Sequence, residues 1–343
     1  MPSTPGAPEV TRATDASAPR PVFIGGCGRS GTTLLGAMLG THPCCLATPE
    51  SKFRFLPYRR QRTTDRGIDL SAAIEQIADH WSFKIWDVDL GEAGLRDDCG
   101  SYPDLLLRIV RAYGRKAGKA APEVWIDHTP GNIKFASLLF DQFPGARMIH
   151  MVRDGRATAS SVMELDWGPN TVVTAAKWWV DYVTRGLAAE SVYGPERVKR
   201  VVYEDLVSEP EKSLREVCDF LGIEYRPEMV DGRGFDVPRF TAGQHALVGQ
   251  RPNVDRLHAW KKALTPRDIE MFESIAVDLL AGLGYEPVYG WHARRPTSRE
   301  KIRLAFRELY RRHILNRMRL RDRIHQTVED APGEPEGRSG ARS

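Results

Sequence analysis

The sequence predicts an α/β fold in which helices cover both faces of a mostly parallel β-sheet. Short apolar segments alternate along the chain with segments of helical periodicity. The first apolar segment leads directly into a glycine-rich turn, and an apolar segment of helical character follows that turn. Strands separated by helices favour parallel pairing, and ligands of such sheets bind beyond the carboxyl ends of the strands.

The elements follow from these patterns in chain order. Strands are predicted at Val22–Gly26, Val124–Asp127, Arg147–Val152 and Val198–Tyr203. Helices are predicted to start at Leu34 and Ala157 and to span Ala72–Trp81, Leu105–Arg115, Ile133–Gln142, Thr171–Glu190, Glu211–Leu221 and Pro266–Leu280. With 343 residues, of which 41% are hydrophobic, the chain has enough apolar side chains for one large α/β domain or two small ones. We place one domain at residues 21–293. Inside the Thr171–Glu190 helix, at least one of Trp178 and Trp179 must be buried.

The turn after the first strand, GGCGRSGTT at residues 25–33, has the frame of a phosphate-binding loop. It departs from the G-x-x-x-x-G-K-[ST] pattern by placing Thr32 where that pattern has lysine. Between a strand and a helix, such a loop predicts a P-loop nucleotide-binding fold, whereas in isolation it would only cap a helix. The residues predicted to contact a phosphosulfate, which carries less charge than a triphosphate, are Arg29, Ser30, Gly31, Thr32 and Thr33.

A second anion site is predicted where the Arg147–Val152 strand ends. Arg153 lies in a charged glycine turn, and Ser161 lies eight residues later in the following helical segment. Taken singly, Arg153 fits a local ion pair and Ser161 fits a helix cap. Together, a guanidinium, a hydroxyl and a helix N-terminus suit a phosphate. Two anion sites on one sheet edge indicate a nucleotide that is phosphorylated at both the 5′ and 3′ positions.

Both motifs resemble those of sulfotransferases that use 3′-phosphoadenosine 5′-phosphosulfate. GGCGRSGTTLL is similar to their 5′-phosphosulfate loop and VRDGRATASS to their 3′-phosphate motif, and the resemblance covers about residues 20–293. It is nearest to bacterial sulfotransferases and tyrosylprotein sulfotransferases. The resemblance implies that Arg29, Gly31, Thr32 and Thr33 hold the 5′-phosphosulfate and that Arg153 and Ser161 hold the 3′-phosphate. It also implies a nucleotide contact for Tyr203, and it places Arg251 in a loop that closes over the donor.

Sulfuryl transfer requires a base for the acceptor proton and positive charge for the leaving phosphate, but no metal ion. The predicted catalytic residues are Glu50, His128 and Arg29. Glu50 takes the place of a catalytic glutamate in the tyrosylprotein sulfotransferases. His128, in Asp127-His128-Thr129-Pro130, stands where related enzymes commonly have lysine. Whether Glu50 or His128 is the base stays open, and His128 also suits a donor to the leaving group.

Two rival functions remain compatible with the glycine loop. A nucleotide kinase or triphosphatase shares the G-x-x-x-x-G frame, although the missing lysine opposes it. A nucleotide-binding module without catalysis would make Glu50 and His128 incidental. For the enzyme, the acceptor is predicted to be a hydroxyl-bearing small molecule or peptide, namely a phenol, tyrosine, sugar or lipid alcohol. No nucleic-acid partner is predicted, and the oligomeric state stays open.

Charge is segregated along the chain. The whole chain has a formal net charge of +4, but residues 294–325 contain twelve Lys or Arg and three acidic residues, so this stretch carries +9 and the remainder −5. We predict a basic amphipathic helix at residues 294–330, beginning with the capping box Thr297-Ser298-Arg299-Glu300. It either packs its apolar stripe on the main domain or contacts a membrane surface or a partner.

The remaining expectations concern the ends and the cellular location of the chain. Residues 1–20 and 331–343 are predicted to be disordered tails because they are rich in small, polar and proline residues. The N-terminal segment lacks the apolar run of a signal peptide, which favours a cytoplasmic protein. Five cysteines without paired metal-ligand spacing indicate reduced thiols and no zinc site.

Overall fold

A computed structural model describes residues 18–60, 68–91, 94, 99–238, 241, 243–244, 248–254 and 257–329, without the side chains of residues 59, 60 and 323–329. Five parallel strands form one sheet with the spatial order β2-β3-β1-β4-β5. The strands are β1 (Arg20–Gly26), β2 (Cys45–Thr48), β3 (Val124–Asp127), β4 (Arg147–Val152) and β5 (Val198–Val202). The predicted α/β fold with a parallel sheet is confirmed. The predicted tails lie almost entirely outside the described residues.

The helices connect these strands and cover both faces of the sheet. They are α1 (Thr32–Gly40), α2 (Leu56–Arg60), α3 (Leu70–Ala78), α4 (Trp81–Lys84), α5 (Tyr102–Lys116), α6 (Ala136–Gln142), α7 (Gly155–Val162), α8 (Val172–Tyr193), α9 (Tyr203–Ser208), α10 (Pro210–Leu221), α11 (Trp260–Ala263), α12 (Pro266–Gly282), α13 (Ser298–Tyr310) and α14 (Asn316–Glu329). One core cluster contains Phe23 and Trp125 of the central strands, and another contains Val22 and Ile24. Successive residues of a strand point to opposite faces, so both faces of β1 are buried.

Strand β2 is absent from the sequence prediction. Its four residues, Cys45–Thr48, form a run too short to show a period, and only Leu46 is strongly apolar. It pairs with β3 in a register that sets Thr48 opposite Asp127. Glu50 and His128 therefore both follow directly after the carboxyl ends of neighbouring strands. The missed strand is the element that brings the two proposed catalytic residues together.

Other predicted elements differ from the structure mainly at their ends. The chain turns into α9 at Tyr203, which was predicted as the last residue of a strand. A 3₁₀ segment, Pro130–Phe135, takes the place of the first residues of the predicted Ile133–Gln142 helix. Trp179 is fully buried inside α8, as the sequence requires of at least one tryptophan there. All five cysteines are free.

The basic C-terminal region is helical, as predicted. Helix α13 begins with the predicted capping box, in which the Thr297 and Glu300 side chains each accept a hydrogen bond from the backbone N–H of the other residue. A π-helical turn at Arg311–Leu315 joins α13 to α14. None of the described helices combines the length and apolar character needed to cross a membrane.

Candidate functional site

The glycine loop after β1 turns sharply into α1. Arg29 and Gly31 adopt positive φ angles of 70° and 94°, and the Ser30 N–H donates to the Cys27 carbonyl at 3.1 Å. Alternation of right- and left-handed backbone conformations in such a loop forms a concave nest for anions, next to the positive end of the helix. A Cβ atom at Gly31 would lie 2.5 Å from Cδ2 of Tyr203, so the ring leaves room only for glycine.

The hydroxyl groups of this loop are buried. Ser30 is inaccessible to solvent, and Thr32 and Thr33 are nearly so. Among the described residues, the Ser30 Oγ has no hydrogen-bond partner. A buried hydroxyl without a partner costs about 1–3 kcal/mol, so such a group is retained where a ligand completes its hydrogen bonds. A phosphosulfate oxygen fits this position because it accepts from hydroxyl and N–H donors.

The second predicted anion loop follows β4 and enters α7. The Asp154 carboxylate caps this helix by accepting from the Arg156 backbone N–H at 2.8 Å. Arg153 lies against the Tyr203 ring, with its guanidinium carbon 4.2 Å from the ring centroid. The Nε atom of Arg153 is buried without a hydrogen-bond partner among the described residues. Like the Ser30 hydroxyl, this buried donor still has a hydrogen bond available for a ligand.

Arg29 joins the two loops. Its Nε donates to Ser161 Oγ at 3.1 Å, and its carbonyl accepts from Arg153 Nη1 at 2.8 Å. The structure thus brings Arg29, Arg153 and Ser161 to one place, as the two motifs predicted. Burial lowers the pKa of Arg29, and the positive charge of Arg153 lowers it further. A bound anion would relieve this repulsion.

Neither of these two arginines forms an ion pair with a carboxylate in the part of the chain that the structure describes. Glu50 attracts Arg29 and Glu204 attracts Arg153, but both act at longer range. The Glu204 carboxylate instead accepts from the Asp154 N–H at 3.0 Å and from the Tyr285 hydroxyl at 2.9 Å. The two guanidinium groups therefore retain positive charge for a ligand.

Glu50 and His128 lie side by side at the ends of β2 and β3. The Glu50 carboxylate pairs with Lys52 Nζ at 2.7 Å, and its side chain is 26% exposed. Its negative charge also acts on both His128 and Arg29. The structure therefore places the proposed base within electrostatic reach of the glycine loop.

His128 is 2% exposed and neither of its ring nitrogens has a partner among the described residues. Its ring packs edge-on against Phe235, with 4.8 Å between centroids. Helix α1 passes close by, because a Cβ at Gly36 would lie 2.9 Å from His128 Cδ2. Burial lowers the pKa of His128, although the charges of Glu50 and Asp127 oppose the shift. The imidazole is therefore neutral at neutral pH.

A buried polar network holds the loops that carry Glu50 and His128. Asp127 accepts from Arg54 Nη1 at 2.8 Å, from the Ser51 hydroxyl and from the Thr129 N–H. Burial raises the pKa of Asp127, but Arg54 and these hydrogen bonds outweigh it, so the net pKa lies below the ordinary value. The Ser51 N–H donates to Thr129 Oγ1 at 2.9 Å, which ties the residue after Glu50 to the residue after His128.

The sequence prediction did not include the residues of this network. Asp127 was named only as the neighbour of His128, and neither Ser51 nor Arg54 was assigned a role. A signal was present, because a charged residue at the end of an apolar strand needs a buried partner of opposite charge. The sequence alone does not say which of 49 lysines and arginines supplies it.

Gln244 is a further contact that the sequence did not reveal. Its carbonyl accepts from Arg29 Nη2 at 2.9 Å, and its side-chain oxygen accepts from Trp167 Nε1 at 2.8 Å. Trp167 and Trp178 also lie over Gly28 of the glycine loop. These contacts cover the outer side of Arg29.

Tyr203 and Arg251 differ in how the structure places them. Tyr203 lies between Gly31 and Arg153 and so contacts both anion loops. The Arg251 side chain is 81% exposed, and its Nε lies 3.4 Å from a carboxylate oxygen of Asp231. Its closure over the donor stays a prediction.

One group of potential metal ligands lies elsewhere in the described part of the chain. His42, Cys44 and Cys45 place ligand atoms within 4.8 Å of one another, in the connection from α1 to β2. This connection lies at the amino ends of the strands, opposite to the anion loops. The Lys119 ammonium already binds carbonyl oxygens of the same connection, including those of His42 and Cys45.

Comparisons with known proteins give the family of this chain. A family model described as "Sulfotransferase family" matches residues 21–227, which is more than half of the chain. Protein-tyrosine sulfotransferase A of Caenorhabditis elegans is 26% identical over 283 residues, covering 78% of this chain and 67% of the relative. Protein-tyrosine sulfotransferase 1 of Danio rerio is 29% identical over 294 residues, covering 80% of this chain and 74% of the relative.

The same fold occurs in a solved sulfotransferase domain from the Synechococcus PCC 7002 olefin synthase. That domain superposes with a TM-score of 0.55 at 23% identity, covering 80% of this chain and 98% of the domain. The sulfotransferase domain from the curacin biosynthetic pathway gives a TM-score of 0.51 at 20% identity, covering 78% of this chain and 98% of the domain. At these identities the likeness concerns the fold.

Proposed function

Because the chain belongs to the sulfotransferase family, we propose that its two anion loops bind 3′-phosphoadenosine 5′-phosphosulfate and that Glu50 activates a hydroxyl acceptor. In this proposal Ser30, Thr32 and Thr33 contact the 5′-phosphosulfate, while Arg153 and Ser161 contact the 3′-phosphate. The observation that carries the proposal is the position of Arg29, which lies in the glycine loop and bonds to Arg153 and Ser161 of the second motif, beside two buried donors without partners among the described residues. A nucleotide with an anionic group at each end would complete these hydrogen bonds.

The proposed reaction is an in-line displacement at sulfur. The acceptor oxygen forms a bond to sulfur as the bond from sulfur to the 5′-phosphate oxygen breaks. Glu50 receives the acceptor proton, and the electron pair of the broken bond stays on the departing phosphate. The ion pair between Glu50 and Lys52 is partly exposed, so an entering hydroxyl displaces it at small cost.

Arg29 and His128 would stabilise the departing phosphate. Arg29 provides charge that is already in place before the reaction, which is the most effective form of electrostatic stabilisation. A neutral His128 donates one hydrogen bond from a ring nitrogen. Guanidinium groups here supply the positive charge that magnesium supplies in phosphoryl transfer, so we propose that no metal ion is required.

The acceptor is proposed to carry a hydroxyl group, with tyrosine as the first one to test. The relatives reported above are named for transfer to protein tyrosine. Phenols, sugars and lipid alcohols are the further acceptors in this proposal, because all of them offer a hydroxyl that Glu50 can deprotonate.

Donor recognition is tested by thermal unfolding in the absence of magnesium. A ligand at 100 times its dissociation constant stabilises the folded state by about 2.7 kcal/mol, which raises the melting temperature by roughly 4 °C for a chain of this size. We expect adenosine 3′,5′-bisphosphate to give this shift and ATP to give none. A shift with magnesium and ATP alone would instead support a kinase or triphosphatase.

The role of Glu50 is tested by Glu50→Gln in a transfer assay with labelled donor and tyrosine peptides. A positioned base contributes about 10²–10⁴-fold, so turnover should fall within this range while the thermal shift with adenosine 3′,5′-bisphosphate is unchanged. Glu211→Gln, at an exposed position of α10, is the matched control and should retain full turnover. Unchanged turnover in Glu50→Gln would remove Glu50 from the mechanism.

A further inference from the structure

Helix α13, the π-helical turn after it and the first residue of α14 contact the domain mainly through polar groups. The Glu308 carboxylate accepts from the backbone N–H and the side-chain amide of Asn170 at 2.9 and 3.1 Å. Asn316 donates to the Asn170 side-chain oxygen at 2.8 Å. Arg311 is buried, and Leu304 packs against the core cluster around α8 and α12. These contacts fix which face of the helix is turned inward.

The opposite face of α13 carries large apolar side chains in solvent. At about 100° per residue, Ile302, Phe306 and Leu309 lie within one sector whose centre is about 150° from that of Leu304 and Glu308. Their exposed fractions are 72%, 74% and 57%. Further exposed apolar side chains are those of Tyr310, Ile314 and Met318. The alternative in which the apolar stripe packs on the main domain is therefore wrong, because polar anchors hold the helix with this stripe outward.

Basic side chains flank the apolar stripe. The exposed ones on α13 and the π-helical turn are Arg299, Lys301, Arg303, Arg307 and Arg312. Residues 294–325 carry a net charge of +9 and the rest of the chain −5. The protein therefore has a basic, apolar surface, while the rest of the chain carries a small excess of acidic residues.

We propose that this surface, formed by the stripe Ile302, Phe306 and Leu309 with its flanking basic residues, docks on an anionic lipid surface. An amphipathic helix in a lipid interface buries its apolar face at the boundary of headgroups and acyl chains. Its arginines and lysines then bind the anionic headgroups. The rest of the chain, with its small acidic excess, faces away from the membrane, which avoids repulsion between like charges.

The charge distribution also argues against a second copy of this chain as the occupant. Pairing two copies through α13 would bring two strongly basic surfaces together. Among the described residues of α13, Glu300 and Glu308 are the acidic ones, and both are already bound, to Arg267 and Asn170 respectively. Neither carboxylate is therefore available to neutralise a facing arginine.

The test is co-sedimentation of the full chain with vesicles of phosphatidylcholine alone or with added phosphatidylserine. We expect binding only to the vesicles that contain phosphatidylserine, and weaker binding as salt increases. Each basic side chain at the membrane surface contributes about 5-fold to binding. The double variant Arg303→Gln with Arg307→Gln should therefore weaken vesicle binding by about 25-fold. Lys212→Gln, on the exposed side of α10, is the matched control for charge and should bind as the unchanged protein does.

The apolar stripe is tested by Ile302→Ser with Phe306→Ser, which should weaken vesicle binding by at least about 10-fold. Val192→Ser is the matched control, because Val192 is equally exposed at 72% but lies on α8.

Equal binding to both kinds of vesicle, or unchanged binding by the stripe variant, would overturn the proposal. A dimer in solution that the stripe variant converts to a monomer would overturn it in favour of a second copy. Unchanged sulfuryl transfer to a soluble acceptor and unchanged thermal unfolding serve as checks that the variants are folded.

Discussion

Arg153 and Arg156 lie three residues apart where β4 turns into α7, yet the structure uses them in opposite ways. The Arg156 guanidinium is buried between the carboxylates of Asp154 and Glu273, at 2.9 and 2.7 Å. Arg153 forms no ion pair among the described residues and keeps a buried nitrogen without a partner. Arg156 therefore completes its electrostatic interactions within the protein, whereas Arg153 requires a ligand to do so. Sequence position and residue type do not distinguish the two.

The same contrast appears between Arg54 and Arg29. Arg54 is buried with Asp127 and Asn132 and supports the loops that carry Glu50 and His128. Arg29 is partly buried beside another arginine and bonds only to neutral groups within the described residues. Removing a paired buried arginine should damage the fold, and removing an unpaired one should damage ligand binding. This distinction is measurable.

The largest effect is expected for Arg54→Met. The substitution leaves the Asp127 carboxylate buried without its partner, and breaking a buried pair in this way costs about 3–5 kcal/mol. The free energy of unfolding, measured by urea denaturation, should fall by this amount. Arg54→Met combined with Asp127→Leu removes both charges and should recover part of the loss. If the free energy of unfolding of Arg54→Met fell by less than about 1 kcal/mol, the pair would contribute no more than an exposed ion pair does.

The sequence predicted the parts of this site that depend on local backbone chemistry. The glycine loop, its flanking strand and helix, and the turn at Arg153 are continuous segments in which spacing alone indicates an anion site. Arg29 and Ser161 were predicted to bind one nucleotide, and the structure brings them into contact. The capping box of α13 was predictable for the same reason, since all its groups lie within four residues.

The sequence did not predict the parts that depend on tertiary contacts. The pairing of Arg54 with Asp127 joins residues 73 positions apart, and no local pattern specifies it. Strand β2 is recognised only from its pairing with β3. The outward orientation of the apolar stripe on α13 depends on Asn170, far away in the sequence. Periodicity identifies an amphipathic helix but does not determine which of its faces contacts the domain.

Arg153→Met and Arg156→Met provide the matched test of the contrast between these two arginines. Losing charged hydrogen bonds to a phosphate costs about 1.5–3 kcal/mol, so Arg153→Met should weaken binding of adenosine 3′,5′-bisphosphate by about 10–100-fold. Its unfolding free energy should change little, because no internal ion pair is lost. Arg156→Met should lower the unfolding free energy, since two buried carboxylates lose their partner. Calorimetric titration and urea denaturation of both variants measure the two effects, and equal stability losses would contradict the contrast.

His128 extends the comparison to a buried group without partners, and it has the smallest expected effect. Because burial lowers its pKa in the folded state, the unfolded chain binds more protons between that pKa and about 6.5. Stability should therefore decrease as the pH falls through this window and become independent of His128 above it. His128→Gln should reduce the slope by up to about 1.4 kcal/mol per pH unit in urea denaturation between pH 5 and 6.5. An unaltered slope in His128→Gln would contradict this account, because it would mean that His128 binds protons equally in the folded and unfolded states.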